Sequence, residues 1–198
     1  MRKLVVPEAL RDEFATVTAL WESHAVTRRV DALALSWIKY EKQLRRLFSF
    51  LVFRHPKVTE EELDTVIAAF AENRDLYPET FISAMRALGV PPLPDLMGEP
   101  YERLWPEIER IKQYRNKIMH GQNTGKKLST PVLERDVQHL IDWISSLAGA
   151  ADRTFGYDGI RRNTFSAAKK CTAPQLPEYP FSSVSGLNVW LSKLNRRR

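Results

Sequence analysis

The chain has 198 residues, with 30 Lys and Arg against 24 Asp and Glu, a net charge of +6 and a single cysteine, Cys171. That length supports one sizeable core with an appendage, and the frequent Leu, Ile, Val and Phe exclude global disorder. One cysteine excludes an intramolecular disulfide and a cysteine zinc cluster, and it fits a reducing compartment.

The apolar run after Met1-Arg2-Lys3 ends at Pro7, too short for a signal peptide. The longest near-continuous apolar run, Leu47 to Phe53, is too short to span a bilayer. A soluble, cytoplasmic protein with no membrane partner is expected. Residues 8 to 22 read as an amphipathic helix with Leu10, Phe14, Val17 and Trp21 on one side. A second helix runs from near Thr27 to Arg54 and is stopped by His55-Pro56. Its apolar positions are dense enough for the centre of a bundle. Thr59-Glu60-Glu61-Glu62 reads as a capping box opening a helix through Val66, Ile67 and Phe70. Pro78-Glu79-Thr80 opens another, closed by Gly89.

Val90 to Pro100 holds four prolines and is expected as the main irregular connection. A helix then runs from about Pro100 to His120, followed by a polar loop from Gly121 to Ser129. Thr130 as N-cap and Pro131 at the first helical position open a long helix through Leu147. A glycine-punctuated segment and a Pro-containing linker follow, and Leu187 to Leu194 could make a last short helix. No stretch alternates apolar and polar residues, so no sheet is expected. The pattern is an all-α antiparallel bundle of four main helices plus shorter ones over residues 1–155. Residues 156–198 form a basic extension. From Asp152 onward there are nine basic residues against three acidic ones, which is the entire net charge. Such a tail suits either a polyanionic partner or a solvated, solubilising end.

Glu109 to Gly121 concentrates the chemistry. Leu104, Ile108, Ile111 and Ile118 define an apolar stripe, and Arg115 falls in the middle of it. A guanidinium cannot be neutralised, so it needs an anionic or carbonyl partner wherever it is desolvated. His120 occupies the last turn, where the helix dipole favours positive charge, and Gly121 can end the helix. Asn116 precedes His120 by four residues and can hydrogen-bond the ring and set its tautomer. Metal-ligand spacing is absent: His24, His55, His120 and His139 lie on separate elements. No phosphate loop or dinucleotide fingerprint appears, so neither metal nor cofactor is expected.

The string Arg115-Asn116-Lys117-Ile118-Met119-His120-Gly121 resembles the Arg-Asn-x-x-x-His signature of HEPN domains. These helical domains occur in prokaryotic toxins, abortive-infection proteins and CRISPR-associated ribonucleases. The resemblance covers roughly residues 8 to 155. It implies a bundle that dimerises around the motif and a metal-independent endoribonuclease in defence or toxin–antitoxin function, with an antitoxin or defence-system partner. Arg115, Asn116 and His120 would then be the catalytic residues. Glu41-Lys42-Gln43-Leu44-Arg45-Arg46 resembles the Glu-x3-Lys-Arg element of some members, with Arg45 in place of Lys. Glu41 would orient Arg115 or His120, or else belong to an exposed charged face. Where one toxin subgroup has a Tyr two positions after the His, this chain has Gln122. Lys117, Lys126, Lys127, Arg161 and Arg162 are the expected RNA contacts. The alternative is a non-catalytic helical module that binds RNA or a partner protein.

Overall fold

The computed structural model describes residues 3–23, 27–73, 77–120, 128–162, 164–174 and 179–195. Among them there is no strand, and the chain is all-α. After one 3-10 turn, Glu8–Leu10, come α1 (Arg11–Glu22), α2 (Thr27–Phe53), α3 (Leu63–Glu72), α4 (Pro78–Ala87) and α5 (Leu93–Met97). They are followed by α6 (Glu99–Met119), α7 (Thr130–Phe155), α8 (Phe165–Lys169) and α9 (Val184–Asn195).

Four local expectations change. Glu62 does accept the Thr59 N–H at 3.2 Å, as half of a capping box would. Residues 60–62 nevertheless form a turn, and the helix begins only at Leu63. The proline-rich connection contains α5, since prolines in a first turn forfeit no helical hydrogen bond. Thr130 is the first helical residue rather than the cap, with Leu133 N–H bonded to the Ser129 carbonyl. The linker holds α8, whose N-cap Thr164 accepts the Ala167 N–H at 3.1 Å. Among the described residues the helices longer than 20 residues are α2, α6 and α7.

Contacts divide the chain into two compact units. The first comprises Met1–Lys42 and Met97–Gly149, the second Gln43–Leu96 and Ala150–Arg198. The helices α2 and α7 each contribute to both. The expected boundary at residue 155 is therefore not where the contacts divide; residues 156–198 group with the middle of the chain.

In the first unit, Leu10, Phe14, Val17 and Trp21 recur every three or four residues, and all four are buried. Glu13 on α1 lies 2.9 Å from both Lys39 and Lys42 on α2. Burial pushes the Glu13 carboxyl up, but the two ammonium groups outweigh it and hold it below the usual range. Glu107 pairs with His139 and Arg110 with Asp136, so partners climb α7 as they descend α6, and the two helices run antiparallel. Trp37, Tyr40 and Trp143 meet edge to face at 5.4 and 6.2 Å in the core.

In the second unit, Phe48 collects Phe70, Phe81 and Trp190 at 5.7 to 6.0 Å. Leu187 and Leu191 of α9 are fully buried, so the C-terminal helix is core rather than tail. Arg54, only 5 % exposed, donates to the carbonyls of Phe155, Ala173 and Pro174. Gly159 has φ +77, and a Cβ there would stand 2.7 Å from Gln43 Cγ and 2.9 Å from Leu47 Cγ. Only glycine meets both demands at that close approach.

Candidate functional site

The helix α6 buries Leu104, Ile108, Ile111 and Tyr114 in the first unit. Arg115 follows the last of these, and its side chain is 15 % exposed. Ile118, expected on the same stripe, is only half-buried. The helix stops at Met119, and His120 is its C-cap, with its backbone N–H bonded to the Asn116 carbonyl at 3.2 Å.

Arg115 Nη2 donates to Glu41 Oε1 at 2.9 Å. The same oxygen accepts Trp37 Nε1–H, one turn earlier on α2, at 2.8 Å. The guanidinium carbon lies 5.4 Å from the Trp37 ring centroid, within cation–π range. Nη1 donates to Asn116 Oδ1 at 2.9 Å, while Nε is buried and has no hydrogen-bond partner. The fold thus supplies the anionic partner that an arginine on an apolar stripe requires, and the partner is Glu41. Asn116 binds Arg115 through its carbonyl oxygen. Among the described residues it forms no hydrogen bond with the His120 ring, so the expected tautomer-setting contact is absent there. The competing donor, an adjacent charged guanidinium, is the stronger one.

His120, Asn116 and Lys117 are exposed. Lys126 and Lys127, with Gly121 and Gln122, lie outside the described residues. Arg161 and Arg162 belong to the second unit. Arg162 is exposed, whereas Arg161 is ion-paired to Asp152 and Asp158 and is already charge-compensated.

A second polar constellation in the first unit went unread in the sequence. Asp136 on α7 is completely buried and accepts from the Tyr114 hydroxyl and the Arg110 guanidinium, which also binds Glu107. Glu107 lies 3.5 Å from His139 Nδ1. Burial pushes the Tyr114 phenol up, and its bond to Asp136 pushes it further. Burial works against the Arg110 cation, but Asp136 and Glu107 outweigh that cost and bind the proton more firmly. Burial pushes the Glu107 carboxyl up, and Arg110 more than offsets it, leaving the carboxyl below its usual range. A signal was present: Asp136 falls beside Leu133, Val137 and Leu140 on the stripe that α7 buries. The donor atoms of Glu107, Asp136 and His139 lie within 4.8 Å of one another, a set able to ligate a divalent cation. Arg110 already bridges the two carboxylates, so such an ion would have to displace it.

Comparison of the chain with family models, with curated proteins and with solved structures finds no match. The family resemblance therefore rests on the motif residues themselves.

Proposed function

We propose that this protein is a metal-independent endoribonuclease whose site is completed by a second copy of the chain, acting in defence or as a toxin restrained by an antitoxin. The observation that carries the reading is the helix end itself. Arg115 is fixed on two sides by Glu41 and Asn116, and His120 stands exposed on the last turn. Cleavage requires that the RNA 2′-oxygen lose its proton while attacking phosphorus, and that the departing 5′-oxygen gain one. His120 takes the first proton, His120 of the second copy gives the other, and Arg115 stabilises the added negative charge on phosphorus. The products are a 2′,3′-cyclic phosphate and a 5′-hydroxyl. Asn116 and Glu41 hold the guanidinium. Lys117, Lys126 and Lys127 guide the strand in the first unit, and Arg162 supplies a further RNA contact in the second, where Arg161 is paired.

A two-fold dimer also suits the surface. Met119 is 49 % exposed one turn beyond Arg115, and Ile38 is 42 % exposed one turn before Glu41. Exposed apolar residues beside the ion pair are what a self-associating face needs.

The Glu41–Arg115 pair also favours a second reading, a non-catalytic helical module that binds RNA or a protein. In it, Arg115 serves only to join α6 to α2. Purified protein incubated with mixed RNAs in EDTA separates the two. Cleavage to cyclic-phosphate ends that is lost in His120→Ala supports the enzyme. Intact RNA, or cleavage that persists in the variant, supports the binding module.

A further inference from the structure

The first unit carries a cleft of about 630 Å³ that the motif does not touch. Its walls come from three separate stretches: the N-terminal segment from Lys3 to Val5, Arg103 on α6, and the α7 face from Pro131 to Asp142. The N-terminal wall is held in place. Val5 N–H donates to Gln138 Oε1, and Gln138 Nε2 donates to the Val5 carbonyl, each at 2.9 Å. Gln138 Nε2 also donates to Asp142 Oδ1 at 2.9 Å, which fixes the carboxamide.

This arrangement brings Lys3, Arg103, Arg135 and His139 to one cavity from positions far apart in the chain. His139 Nδ1 is buried 3.5 Å from Glu107, outside the cleft, so the cationic donors left for a ligand are those of Lys3, Arg103 and Arg135. Arg103 engages Glu99 through Nε alone at 3.1 Å, and Arg135 comes no nearer than 4.0 Å to Asp136. Both guanidinium groups therefore keep donors for something else. Glu134 and Asp142 line the same cleft as acceptors. The volume lies within the roughly 300–1,000 Å³ typical of small-molecule sites.

We propose that this cleft binds a small phosphate monoester carrying hydroxyl groups. A carboxylate has two oxygens and is satisfied by one guanidinium fork. A phosphate monoester has three terminal oxygens and close to two charges at neutral pH, and it matches a cleft lined by cations from three separate stretches of the chain. Glu134 and Asp142 accept from the hydroxyls, which disfavours a bare phosphate. The site is independent of the ribonuclease reading, since none of its residues belongs to the motif.

The test uses the full-length, ¹⁵N-labelled protein titrated with ribose 5-phosphate, inorganic phosphate, acetate and sodium chloride at matched ionic strength. Ribose 5-phosphate is expected to give saturable amide shifts centred on Val5, Arg103, Arg135 and Gln138. Its affinity should exceed that of inorganic phosphate, and Lys3→Gln or Arg135→Gln should weaken it roughly tenfold each, about 1.4 kcal/mol. Both side chains are exposed, so the fold tolerates their loss, and unchanged melting confirms it. Arg86→Gln, on the exposed face of α4, controls for net charge and should leave the affinity unchanged. Shifts that rise linearly as with chloride, acetate binding as tightly, or full affinity in Arg135→Gln would each overturn the assignment.

Discussion

Removing the Arg115–Glu41 pair tests whether the motif arginine is held as described. The two side chains are 15 % and 29 % exposed and meet at 2.9 Å. Trp37 Nε1 fixes the accepting oxygen independently, so Glu41 loses little further freedom when Arg115 binds. Exposed pairs couple by about 0.2–1 kcal/mol, and breaking a buried pair costs about 3–5 kcal/mol. A pair so placed should couple by about 1–2 kcal/mol. The measurement is a double-mutant cycle of Arg115→Ala and Glu41→Ala, with urea unfolding at moderate salt. Arg103 and Glu99 on α6 supply an internal reference, because their side chains are 54 % and 73 % exposed. That pair should couple by about 0.3–0.5 kcal/mol. If the two cycles agree within error, the pair is a surface contact and the argument that Glu41 anchors the site fails.

Three further outcomes are expected. When wild type is co-refolded with His120→Ala and mixing is confirmed by tagging, activity should follow the square of the wild-type fraction, because each proton-transfer group contributes about 10²–10⁴-fold; a linear decline refutes the shared site. Burial lowers the pKa of His55, which accepts Lys57 N–H at Nδ1 and bonds the Phe181 carbonyl through Nε2. The Phe181 bond opposes that lowering, Lys169 and Lys57 add to it, and Glu62 opposes it. A folded pKa below the ordinary 6.5 means the unfolded chain binds the proton better. Unfolding free energy should therefore hold above about pH 6.5 and fall as pH drops below it, and His55→Asn should flatten that slope. Gly159→Ala should destabilise by about 1–3 kcal/mol in urea unfolding, from overpacking and from its positive φ; an unchanged midpoint would mean that the turn relaxes freely.

The helices were legible wherever apolar residues recur over three turns or more. α1, α2, α6 and α7 follow the periodicity of Phe14, Trp37, Ile111 and Ile141 closely. The five-residue helices α5 and α8 were not, because a single turn and a half carries no period to read. The need of Arg115 for an anion was also legible, yet Glu41 emerged only as one of several options, since nothing local links residues 74 positions apart. Asp136 did carry a local signal, its place on the apolar stripe of α7, but its partners on α6 and the members of the Lys3–Arg103–Arg135 cleft escaped for the same reason. Network and cleft each join residues from separate stretches of the chain, and nothing local in the sequence links those stretches.

Arg54 gives the second unit a particular order of assembly. Its carbonyl partners at Ala173 and Pro174 lie 119 and 120 residues further along the chain. At about 5–20 residues per second, a ribosome makes those carbonyls roughly 6–24 s after the arginine. Through that interval a cation destined for burial waits beside Phe53 with its final ligands not yet synthesised. The residues of the first unit end at Gly149, so all of them are made before those carbonyls. Released chains truncated between residues 150 and 172 should therefore be cut by proteases around Arg54 more readily than the full-length chain.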